Sequence, residues 1–182
     1  MFFAVALNSF GLDDSIENGW KGIKPLKTDK VTVEKILGKP TASMDGFYNY
    51  DLPDAFVHIN YTNEPCQKAY HGRGKYDVLE DTVLDYQITL QQDVKLKDLK
   101  FQREKYERQI DPEQNKLIYY INRDDAILIK VSIVDNIEYV GQIIFDPSPA
   151  DKKKFECKKP EAANNTPQES KTVETPNCKK PK

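Results

Sequence analysis

The chain has 182 residues, with 27 Lys and Arg against 29 Asp and Glu, a formal net charge of -2. That length suits one ordinary domain, and the balanced charge gives no long-range field to draw a polyanion, so nucleic acid is not an expected partner. Apart from the first residues, no stretch approaches the ~20 apolar residues of a membrane span.

Taken in chain order, the start Met1-Phe-Phe-Ala-Val-Ala-Leu has the look of the end of a signal-peptide core, with Ala4-Val5-Ala6 as a small-x-small cleavage site. A charged n-region is missing, so residues 1–18 read either as an incomplete export signal or as an apolar segment docked on the fold. The folded domain is expected over 19–157. Within it, Thr28 and Asp29 precede Val31-Thr32-Val33-Glu34-Lys35-Ile36-Leu37, and Gly38 and Pro40 follow. Thr28 is the predicted cap, Asp29 suits the positive helix end, Gly38 takes the terminating conformation and Pro40 blocks continuation. Val33, Ile36 and Leu37 give this helix one apolar stripe.

Strands are predicted at 46–51 and 55–61, where Val57, Ile59 and Tyr61 alternate with His58 and Asn60. Residues 62–80, rich in Asn, Pro, Gly and charge, read as a long loop holding Cys66 and His71. Thr82 to Leu90 alternates again, with Leu84, Tyr86, Ile88 and Leu90 on one side and Val83, Asp85, Gln87 and Thr89 on the other. Residues 96–109 fit either a helical turn followed by an edge strand or a single amphipathic helix. The strongest β pattern covers 117–122, 126–134 and 137–145, whose two- and three-residue linkers demand antiparallel hairpins. Ile127, Ile129, Val131 and Ile133 form the expected core side of the middle strand, with Lys130 and Ser132 toward water. The last 25 residues, 158–182, contain six Lys, four Pro and one Val, a composition for a disordered tail or linker. The fold class is therefore α+β: an antiparallel sheet with one short N-terminal helix, and room for a second helical segment, packed on one face.

Candidate chemistry is sparse. His58 lies on the polar side of its strand and reads as a solvated histidine. Cys66 and His71 share one loop, which permits a thiol or hydrolytic enzyme, but no third group marks an orienting partner. His71-Gly72-Arg73-Gly74-Lys75 lacks the phosphate-loop spacing, and Tyr76 stands where a hydroxyl ligand for magnesium belongs. Glu80, Asp81, Asp85, Asp124, Asp125 and Asp135 are carboxylates at turn and surface positions. No catalytic residue, metal ligand or cofactor is assigned. The aromatic residues at 47, 48, 50, 61, 86, 119 and 120 allow a ligand-carrying sheet, although core packing accounts for them more simply. Three cysteines, 66, 157 and 178, carry no zinc spacing. Cys66 follows the predicted strand at 55–61 and Cys157 stands just past the last one, and either a disulfide or two free thiols fits that placement; Cys178 stands alone in the tail.

Trp20, Gly22, Ile23, Pro25, Leu26, Thr28, Val31, Leu37, Gly38 and Pro40 together resemble the opening of a group of uncharacterised secreted bacterial proteins. The likeness continues through Val57, Ile59, Tyr61 and Cys66, through Asp81 to Leu84, Tyr119-Tyr120, and Phe155 to Cys157. Two cysteines recur in that group, which implies a Cys66–Cys157 disulfide, and some members carry an OmpA-like domain after a linker. The Leu37-Gly38-x-Pro40 helix end is also similar to the SmpA/OmlA (BamE-like) small envelope proteins. Those likenesses imply a secreted or periplasmic, non-catalytic protein-interaction module whose partner is another envelope protein.

Overall fold

The computed structural model describes residues 15–44, 46–66 and 75–157. The alternation seen in the sequence becomes a single eight-stranded sheet in which every pairing is antiparallel. Its strands are β1 (Ala42–Met44), β2 (Phe47–Asp51), β3 (Ala55–Tyr61), β4 (Val83–Lys95), β5 (Glu107–Ile110), β6 (Leu117–Asn122), β7 (Ile127–Val134) and β8 (Ile137–Phe145). The spatial order is β1-β2-β3-β4-β8-β7-β6-β5. Two four-stranded meanders thus meet along one seam, β4 against β8. Asp135 and Asn136, both at positive φ (49° and 61°), make the tight turn between β7 and β8. This backbone suits the right-handed twist of a hairpin, and Asp and Asn tolerate it better than most residues.

Two helices accompany the sheet, α1 (Lys30–Leu37) and α2 (Pro149–Lys154). The cap of α1 is Asp29, whose carboxylate accepts the Thr32 N–H at 2.7 Å, rather than Thr28. Thr28 instead uses its hydroxyl to accept the Lys24 N–H, one turn earlier. Gly38, at φ 86°, donates its N–H to the Glu34 carbonyl and ends the helix as expected. The predicted stripe is narrower than expected: Val33 is fully buried and Leu37 touches the core, but Ile36 is 40% exposed. The 96–109 segment takes the first of its two predicted forms, short 3-10 turns at Leu96–Asp98 and Arg103–Lys105 followed by the edge strand β5.

One hydrophobic cluster runs through the inner face of the sheet, with Val57, Ile59, Ile88, Ile118, Ile129, Val131 and Ile143 each at 0% exposure. Ile16, Trp20, Ile23, Val33, Leu96, Leu99 and Tyr106 join it from outside the strands. Ile16 lies upstream of the expected boundary at residue 19, and its N–H donates to the Lys100 carbonyl. Tyr86 ties the N-terminal stretch down: its hydroxyl accepts the Trp20 N–H at 3.0 Å and donates to the Ile23 carbonyl at 2.9 Å, while its ring stacks on Phe145. A buried phenol needs such partners, because an unpaired hydroxyl in this setting costs a few kcal/mol. A smaller cluster of Leu26, Val78 and Leu84, with Tyr76 and Phe155 against it, lies beside the C-terminal end of the described chain.

Candidate functional site

Cys66 and Cys157 are joined by a disulfide, with 5.6 Å between their Cα atoms. Around it, Cys66 N–H donates to the Tyr76 carbonyl, Asp77 N–H to the Phe155 carbonyl, and Tyr76 bridges to Glu156. The bond therefore clamps the segment after α2 to the loop that follows β3. While it stands, Cys66 supplies no thiolate for nucleophilic attack. His71 and Cys178 fall outside the described residues.

The other predicted groups are engaged locally. His58 directs Nδ1 to Asn49 Oδ1 at 2.7 Å and stacks on Phe47. Asp85, expected on a wet face, is buried; it accepts the Asn60 side-chain N–H at 2.5 Å, where a bulge at Asn60/Tyr61 interrupts the β3–β4 register. The carboxylate of Asp125 accepts from Asn122 Nδ2, and Asp81 lies 3.8 Å from the Lys30 ammonium. Asp135 is a turn residue. These carboxylates engage separate side-chain partners, and among the described residues no three of His, Cys, Asp and Glu gather closely enough to hold a metal ion.

Of the seven aromatic positions, Tyr50, Tyr61, Tyr86 and Tyr120 are core residues at 4% exposure or less. Tyr50 and Tyr61 share a hydroxyl–hydroxyl hydrogen bond of 3.1 Å, and burial pushes both ionisations upward, so neither is a proton shuttle at neutral pH. Lys30 donates to the Tyr48 hydroxyl at 2.9 Å with its ammonium 4.2 Å from that ring, and the hydrogen bond to Tyr48 raises its pKa further. This cluster anchors α1 to β2 and offers no reactive group.

What remains open to solvent is a hollow of about 530 Å³ at one end of the sheet. Four separate stretches build it: the end of β4 and the turn after it (Lys95, Leu96, Lys97), β5 (Arg108), the end of β7 (Ile133), and the β7–β8 turn with the start of β8 (Asn136, Ile137, Glu138). Such a volume lies within the range of ordinary ligand and peptide sites, ~300–1,000 Å³. The antiparallel register places Ile110, Val134 and Ile137, exposed by 54%, 54% and 38%, at this same end. Tyr120 on β6 donates to both carboxylate oxygens of Glu138 on β8, at 3.0 and 2.9 Å, reaching past β7. Arg108 donates to the Tyr120 hydroxyl at 3.3 Å and to Glu138 at 3.4 Å, and Arg103 lies 4.3 Å from the face of the Tyr120 ring. Glu138 is thus absorbed by the wall of the hollow, whereas Lys95 and Lys97 have no ion-pair partner among the described residues. Sequence reading missed this site because its residues are ordinary singly and come from distant segments; the pair Lys95 and Lys97 around Leu96 was its faint local trace.

A second hollow, about 290 Å³, lies between the N-terminal stretch and α2 and includes Lys27 and Asp151. Those two close on each other at 2.8 Å. Burial alone would raise the Asp151 carboxyl, but the Lys27 ammonium and the Ser148 hydroxyl outweigh it and hold its pKa low.

No helix of the described residues is long and apolar enough to cross a membrane. No known protein family, curated protein or solved structure matches the chain.

Proposed function

We propose that this chain is an exported, non-catalytic protein-interaction module of the cell envelope, which docks a partner protein at the hollow bounded by β4, β5, β7 and β8. In this reading the N-terminal stretch and Val33 of α1 pack against the core of the sheet, and the hollow at its far end stays open. The observation that carries it is one concavity lined by Ile133, by the 38% exposed Ile137, and by Lys95 and Lys97, which have no ion-pair partner among the described residues. Contiguous exposed apolar surface rimmed by polar residues is a mark of interaction sites. The disulfide supports export, since such bonds persist in oxidising compartments. The signal-like residues at the start of the chain point the same way.

Site-directed photo-cross-linking in cells of the native host tests the reading. A cross-linking amino acid at position 137 is expected to give one discrete adduct in the envelope fraction, with the joined peptide read by mass spectrometry. The same probe at Met44, 73% exposed on the opposite edge strand, is expected to give none. Equal adducts at both positions, none at 137, or a cytosolic protein with reduced Cys66 and Cys157 would refute the proposal.

A further inference from the structure

Resting on that docking reading, we infer the chemistry of the partner: a short, extended peptide segment in which aliphatic side chains alternate with carboxylates. The hollow is lined by three aliphatic residues, Leu96, Ile133 and Ile137, which make its apolar floor and lip, and by three cations, Lys95, Lys97 and Arg108, at its rim in this reading. Against those three cations the lining sets a single carboxylate, Glu138, whose two oxygens share the one proton of the Tyr120 hydroxyl and which also accepts from Arg108. The local charge is therefore positive in a chain whose net charge is -2. Arg108 keeps most of its donor capacity, because a guanidinium has about five N–H groups and its contacts to Tyr120 and Glu138 engage only part of them. A purely apolar ligand would leave the rim unanswered, and a purely acidic one would leave the floor wet.

The span of the site sets the length of the occupant. Lys95 and Arg108 belong to the two ends of the five-strand run β4-β8-β7-β6-β5, yet border one hollow, so the inner face curves between them. Four inter-strand steps of ~4.8 Å give at most about 19 Å between those backbones, which an extended peptide crosses in roughly six residues at ~3.3 Å each. Alternation of side chains along such a peptide puts every second one toward the floor and the others toward the rim. A segment of the pattern acidic-aliphatic-acidic-aliphatic-acidic therefore satisfies both surfaces at once, and charge complementarity fixes its register.

The test uses the full-length chain, isotopically labelled, titrated with the blocked peptide acetyl-Glu-Leu-Asp-Ile-Glu-amide. Saturable amide shifts confined to 95–97, 108 and 136–138 are expected, with affinity falling as salt rises. Acetyl-Lys-Leu-Lys-Ile-Lys-amide and acetyl-Glu-Ser-Asp-Ser-Glu-amide are expected not to bind. Lys97→Glu, at an exposed position that leaves folding intact, should weaken binding by roughly fivefold to tenfold, since an exposed ion pair is worth up to ~1 kcal/mol and reversal turns attraction into repulsion. Lys95→Glu should act alike. Absence of shifts at millimolar peptide, equal binding of the lysine peptide, or saturation by free octanoate in place of the peptide would overturn the inference. Should the peptide fail while the probe at position 137 still captures a single partner, the acidic chemistry is wrong and the docking reading stands; failure of both removes both.

Discussion

Replacing Cys66 and Cys157 together by serine gives the sharpest energetic test of the clamp. The bond closes a loop of 91 residues. In the chain-entropy treatment a loop of that size restrains the unfolded chain by about 15 cal/mol/K, or roughly 4.6 kcal/mol at 25 °C, and measured losses in small domains run from ~2 to 5 kcal/mol. Against a total stability of ~5–15 kcal/mol this is a large share. The double variant should therefore unfold in urea with a free energy lower by about 3–5 kcal/mol, and melt roughly 6–20 °C earlier at ~2–4 °C per kcal/mol. Hydrogen exchange adds a spatial reading. The Cys66 and Asp77 amides, which bond to Tyr76 and Phe155 across the clamp, should lose protection before the amides of Ile129 and Ile143 in the sheet centre. A loss below ~1 kcal/mol, or uniform loss of protection through β7 and β8, would refute the reasoning, because it would mean that the loop is already restrained without the bond.

Tyr86→Phe keeps the stack on Phe145 but leaves the Trp20 N–H and the Ile23 carbonyl without their buried partner, and is expected to cost about 2–3 kcal/mol in chemical denaturation. Gly19 sits at φ +83° where an added Cβ would run into the Ile23 carbonyl oxygen, so Gly19→Ala should destabilise by at least ~2 kcal/mol in the same assay. Burial alone would raise the Glu17 carboxyl, but hydrogen bonds from the Ser15 hydroxyl and the Gln102 N–H hold it below its ordinary 4.5. A depressed folded pKa means that the unfolded chain binds the proton first. Its stabilisation is complete above the unfolded value and lost as pH falls through the folded one, so Glu17→Gln should flatten the acid limb of a stability–pH curve below pH 4.5.

The hairpins of the second meander were legible because their linkers are too short for anything else, and β3 was legible from strict alternation. Strand β1 was not, since Ala42, Ser43 and Met44 are all exposed and carry no periodicity. The extension of β4 past Leu90 runs through Gln91, Gln92 and Asp93, which pattern alone assigns to a loop, yet the seam with β8 keeps it extended to Lys95. Helix α2 did leave signals, a Ser148 cap, Pro149 at the first turn and three lysines at the last, but in a six-residue stretch without an apolar stripe they pass unnoticed. Ile36 was misplaced because spacing names a stripe without saying how wide a contact an eight-residue helix makes. The hollow was illegible for a different reason: pattern reads neighbours in sequence, and Lys95, Arg108 and Ile137 become neighbours only through strand order.

The strand order also dictates a timetable for the newborn chain. Strands β1 to β4 can zip up as they emerge, but the far edge of β4 has to wait, bare, while fifty residues pass from Lys95 to Phe145 before β8 arrives to cover it. A naked edge invites foreign strands. Gln87 and Thr89, which later pair with Ile144 and Gln142 of β8, are polar, which makes the waiting template a poorer one for aggregation. Cys157 follows β8 in the chain, so its disulfide with Cys66, whose formation passes two electrons to an external oxidant, can close only after β8 has emerged.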